Sequence, residues 1–194
     1  MEQREPGGKK SWLGVIVGVG LIIVMFGLCA AMVIPSFIVP KKSMASEVKT
    51  NLKATFLAEK SYWAEKDVYT DRIEAMGFIP ERGNRYLYLV SKNCELLLPG
   101  AWDGGSHCGV FGDELRLATV DNKLLMASIP TSLMGEVGVH CEEDAGCDVT
   151  IAAAGNIDSD ATVDVWSVST KERIIGTDRV GPGMPYNHIN DVEK

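Results

Sequence analysis

Apolar and polar positions divide the chain into three textures. From Ser11 through Pro40 there is no charged residue, and this stretch exceeds the roughly 20 apolar residues that a bilayer-crossing helix needs. It has no polar face, whereas a surface helix confines its apolar residues to one stripe. Its length also argues against a cleaved secretory signal, whose apolar core runs about 7–15 residues. Ala30-Ala31 resembles a cleavage point, but Met32-Val33-Ile34-Pro35 follows in place of a polar mature start. Next comes "SMASEVKTNLKATFLAEKSYWAEKD", in which Val48, Leu52, Phe56 and Trp63 fall on one side with Glu59 interrupting. Glu47, Lys49, Lys53, Lys60 and Glu65 face elsewhere, the pattern of an amphipathic helix laid against something. Only Pro40 and Ser43 offer a break, and prolines are tolerated as kinks in membrane helices. The spacing therefore predicts one long helix over about 12–66, kinked at Pro35 and Pro40, with its first half in lipid.

After Lys66 the texture changes to short alternating runs between Gly, Asp, Asn and Pro clusters. Residues 84–90, 113–120, 123–129, 147–157 and 163–169 read as strands, and Asp121-Asn122 between two of them suits a two-residue hairpin turn. The pattern predicts an α+β fold: an antiparallel β-sheet with the stripe of the long helix covering one face. The division is a tail over 1–10, a transmembrane segment over 11–40, an amphipathic continuation over 41–66 and a β-rich head over 67–194.

Charge and cysteine content narrow the function. Residues 43–194 carry 14 Lys and Arg against 24 Asp and Glu, a net charge of −10, the opposite of the basic footprint of a nucleic-acid binder. Arg4, Lys9 and Lys10 precede the span and Lys41 and Lys42 follow it, so the positive-inside rule does not orient it. The cysteines do. Cys29 lies in the span, and Cys94, Cys108, Cys141 and Cys147 form an even set in the head, which favours an exported, oxidising compartment. Of the three pairings, Cys94–Cys108 with Cys141–Cys147 closes the shortest loops, leaving Cys29 free. In the span, Gly14 and Gly18 are four apart, as are Gly27 and Ala31, a spacing that lets membrane helices approach closely.

Candidate chemistry in the head is sparse. Asn156, Asp158, Asp160 and Asp164 place four oxygen-bearing side chains within nine positions, a candidate Ca²⁺ set, since that ion takes six to eight oxygens. The stretch is not an EF-hand, because Ala161 stands where that loop needs Gly and Ser167 where it needs Glu. Turn-forming Asn and Asp between two strands account for the same residues. His107-Cys108 and His140-Cys141 suggest zinc with Cys94 or Cys147, but the spacing is irregular and oxidised thiols are expected. "GGSHC" (104–108) ends in Cys108 where a nucleophile elbow needs Gly. "VGPGMPYN" is a turn-rich tail, and neither a phosphate loop nor a small-molecule substrate site is evident. No enzyme is predicted, and no resident cofactor beyond the candidate Ca²⁺.

In order along the chain, "AAMVIPSFI", "SEVKTNLKATFLAEKSYWAEKDVYT", "GFIPERGNRYLYLV", "AAAGNIDSDATVDVWSVS" and "GMPYNHINDV" resemble type IV pilins and the pilin-like pseudopilins of bacterial secretion systems. The resemblance covers most of the chain and implies the same fold, with a proline at the position of Pro35 curving the stem so that subunits pack around a filament core. It implies a bacterial inner-membrane protein with one span, a cytoplasmic amino terminus, a head that is periplasmic or extracellular in a filament, and other pilin-like stems as partners. Two family features are missing. Aligned through Pro35, the leader glycine falls on Leu13 and the stem glutamate on Gly18. Residues 1–8 are accordingly expected to stay attached, and the role expected is a minor or accessory subunit of a type IV pilus or secretion pseudopilus. The alternative is an anchored, exported binding module that keeps the fold without polymerising.

Overall fold

The computed structural model describes residues 9–80, 83–92, 95–97, 105–112, 122–143, 146–157 and 162–190, with side chains of the first helix described at 12, 14–28 and 45–66. That helix, α1 (Lys9–Lys66), contains Pro35 and Pro40 and ends where Asp67 turns into the left-handed region at φ 59°. The Asp67 amide reaches the Trp63 carbonyl at 2.7 Å, a hydrogen bond that caps a helix carbonyl left without a partner. The chain divides into two compact units, Met1–Pro40 and Lys41–Lys194.

In the second unit the strands are β1 (Tyr86–Leu89), β2 (Gly109–Val110), β3 (Gly138–Glu142), β4 (Gly146–Gly155), β5 (Asp164–Ser169), β6 (Arg173–Ile175), β7 (Asp178–Val180) and β8 (Tyr186–Ile189). The main sheet runs β2-β1-β4-β5-β8, with β3 also on β4, and among the described residues these named strands pair antiparallel. The ten-residue β4 shares one edge between two partners. Its first half pairs with β3 (Cys141 opposite Cys147) and its second half with β1 (Tyr88 opposite Ala153). A separate hairpin joins β6 to β7.

Alternation along β1 shows how the layers form. Tyr86 and Tyr88 point to one core with Val48 and Leu52 of α1, Ala153, Trp166 and Val168. Leu87 and Leu89 point to a second core with Ala152, Ala154 and Val165. Both sets are buried because both faces of the sheet are covered, the first by α1 and the second by two short helices. These are α2 (Asn122–Ser128) and α3 (Thr131–Glu136), and they correct the strand expected over 123–129. Leu, Met, Ala and Lys are good helix formers. Leu125, Ile129 and Leu133, four apart, are all buried in the second core, which is helical spacing. Asn122 opens α2 instead of completing a hairpin turn. Its Oδ1 accepts the Gly112 amide at 3.1 Å and its Nδ2 donates to the Gly112 carbonyl at 3.4 Å. The strand expected over 113–120, and Asp121, lie outside the described residues. At Gly155 a Cβ would stand 2.6 Å from the Tyr86 ring, so only glycine lets β1 and the end of β4 close at that point.

Candidate functional site

The stem and the head each carry candidate surfaces. In the first unit, Trp12, Val15 to Val17, Val19, Leu21 to Phe26 and Leu28 are all 49% exposed or more, an apolar surface far larger than a soluble monomer tolerates. A Cβ at Gly14, Gly18 or Gly27 would meet nothing within 4 Å, so these positions stay open to close approach by another helix. The side chains of Ala31, Pro35 and Pro40 lie outside those described. Among the described residues, no helix is long and apolar enough to cross a membrane.

In the head, the lower half of α1 is tied to the sheet by polar contacts at the edge of an apolar stripe. Glu47 accepts the Arg85 amide at 2.9 Å and pairs with its guanidinium at 2.8 Å. Asn51 donates to the Tyr88 hydroxyl at 2.9 Å. Lys49 sits 4.9 Å from the centre of the Trp166 ring, within cation–π range. The predicted stripe is present in its upper half and altered below it. Val48 and Leu52 are fully buried, Phe56 is half-buried and Trp63 is 39% exposed, while Thr55 and Glu59, the latter expected to interrupt the stripe, are fully buried within it.

The candidate Ca²⁺ residues divide. Asp158 and Asp160 lie outside the described residues, and Asn156 follows β4. Asp164 is fully buried. Its Oδ2 accepts the Tyr86 hydroxyl at 2.7 Å and the Trp166 indole at 2.5 Å, and its Oδ1 accepts Asn187 Nδ2 at 3.0 Å. Three protein donors thus occupy the carboxylate. Burial first, and then the charge of Asp164 and the hydrogen bond to it, push the Tyr86 hydroxyl far above the usual tyrosine range. Among the described residues no group of three His, Cys, Asp or Glu could hold a metal.

Cys141 and Cys147 form a disulfide across the β3–β4 hairpin, which removes both thiols from any zinc set. Cys108 is disulfide-bonded as well, and Cys94 lies outside the described residues. His107 Nδ1 pairs with Glu74, whose other oxygen accepts the His107 amide at 3.0 Å, and His140 Nε2 lies 2.9 Å from the Glu136 carbonyl. His107 Nδ1 and His140 Nε2 are thus both engaged within the protein. Sequence reasoning missed a cluster on the second face of the sheet, where the buried Arg173 donates to Ser167 Oγ at 2.8 Å and Ser167 Oγ lies 2.7 Å from His188 Nε2. Burial, with Arg173 as a lesser cause, pushes His188 down to about 4. Arg173 lies on a three-residue strand, so no local period marks it.

Residues 41–97, the lower stem and the start of the sheet, match the family model of the type IV pilin PilA. Over 201 aligned residues the chain is 35% identical to the type IV major pilin protein PilA of Myxococcus xanthus strain DK1622, covering 89% of this chain and 88% of that one. The chain belongs to the type IV pilin family. Pilins are structural subunits of pili and not enzymes. The pilin fold expected from the sequence is present, a long amino-terminal helix with an antiparallel sheet.

Proposed function

We propose that this pilin is a minor or accessory subunit of a type IV pilus or secretion pseudopilus, anchored in the bacterial inner membrane by residues 11–40 with its head exported. The observation that carries this role is at Gly18. The apolar surface from Trp12 to Leu28 has no ionisable side chain, and glycine stands where the resemblance places the stem glutamate. Such a stem associates with others by close packing at Gly14, Gly18, Gly27 and Ala31, without a charged contact to set its register. Similarity to a major pilin over nearly the whole chain favours a second role, the main filament subunit. Electron microscopy of the purified full-length protein separates the two. Dispersed particles for the wild type, with more incorporation into cellular filaments for Gly18→Glu carrying a trimmed amino terminus, are expected of an accessory subunit. Homopolymeric fibres formed by the wild type alone would establish the major role instead.

A further inference from the structure

Glu59 occupies a place in the α1 stripe where hydrocarbon would ordinarily sit, and it takes part in none of the contacts described so far. It is fully buried. Its Oε2 accepts the Thr70 amide at 3.3 Å, and its Oε1 is sealed from solvent with no hydrogen-bond donor among the described residues. Asp71, next to that amide in the chain, sets a like charge against it. Lys60, its neighbour on the helix, is turned away to the Tyr69 hydroxyl and the Trp63 ring. Glu74, further along the same loop, is engaged by His107. Among the described residues Glu59 has no ion-pair partner. A buried carboxylate with no compensating cation is costly, whereas a buried neutral carboxyl is far less so.

We propose that Glu59 and the Thr70 amide form a proton-operated latch between the stem helix and loop 67–72, closed when the carboxyl is neutral and released when it ionises. The sign follows from solvation. Burial, partly offset by the Thr70 amide and helped by Asp71, raises Glu59 from 4.5 to about 7. When the loop lifts, water reaches the carboxyl and restores its ordinary value. The closed state therefore binds the proton, and opening grows more favourable as pH rises from 4.5 to 7. The loop also has something to uncover, since Tyr69 and Asp71 form one wall of a cleft of about 240 Å³ whose other walls include Ser91, Lys92 and His140.

Hydrogen exchange on the full-length protein in detergent tests this. Corrected for intrinsic rates, protection of the Thr70 amide should fall on the order of 50-fold between pH 5 and pH 8, while amides in the centre of β4 keep theirs. Glu59→Gln, which cannot ionise, should give a flat profile. A second readout needs no variant: the ¹³C carboxyl signal of Glu59 should titrate near 7 in step with Thr70 exchange. A constant Thr70 protection in the wild type, an equal loss in Glu59→Gln, a β4 response in parallel, or a Glu59 midpoint at the ordinary carboxylate value would each overturn the latch.

Discussion

Replacing Asp164 with alanine tests whether the polar cluster under α1 holds the head together. The substitution removes one carboxylate and strands three donors: the Tyr86 hydroxyl, the Trp166 indole and Asn187 Nδ2. Tyr86 is fully buried and Trp166 is 5% exposed, so water cannot replace the lost acceptor at either. A stranded buried donor costs about 1–3 kcal/mol, and two such donors with a half-buried third add up to roughly 4–6 kcal/mol on the same scale. That is a large part of the 5–15 kcal/mol by which native proteins are stable, and for a chain of this size it lowers Tm by about 10–20 °C. Thermal unfolding of the full-length protein, followed by tryptophan fluorescence, reads the loss. Tyr86→Phe in the Asp164→Ala background should recover part of it, because one stranded donor disappears. A loss under about 1 kcal/mol, or no recovery in the double variant, would refute the assignment of Asp164 to internal hydrogen bonding.

Three further outcomes are expected. Cys141→Ser with Cys147→Ser should lower stability by about 2 kcal/mol, the chain-entropy value for so short a loop, without changing the fold seen by circular dichroism. Leu125→Ala should cost about 2–5 kcal/mol by denaturant titration, because Leu125 is 1% exposed under the second face of the sheet. Acid should act through His188, held at about 4 in the folded head against an ordinary value near 6.5. The unfolded chain binds that proton first, so the contribution of His188 to stability is lost as pH falls from 6.5 through 4. A His188→Asn variant should show a shallower loss of Tm over that range.

The stem was readable because its signals are local: an uncharged run, then Val48 and Leu52 four apart. Glu59 was misjudged for the same reason. A carboxylate among apolar positions reads as an interruption until the loop that covers it is known, and its hydrogen-bond partner Thr70 is eleven residues away. Strands β1, β4 and β5 were found from their runs of β-branched and aromatic residues, while β3 and β8 combine polar residues with half-buried positions and carry little contrast. "KLLMASI" was misread as a strand because the stripe that marks it as helix extends past Pro130 to Leu133. The Cys141–Cys147 bridge was visible from its short span. Asp164 was not, since Tyr86 lies 78 positions away, and an acidic residue among turn formers resembles a metal ligand until that distant hydroxyl is placed beside it.

The central claim is that the stem enters a bundle of other pilin-like stems without itself setting their register. Photo-crosslinking in cells from single positions along Val15–Phe26, with mass-spectrometric identification of the products, tests it most directly. Crosslinks to the stems of other pilin-like subunits, concentrated on the face that carries Gly14 and Gly18, are predicted. Crosslinks to lipid alone, with no protein product at any position, would contradict the claim and make the chain an anchored binding module that kept the fold and left the filament.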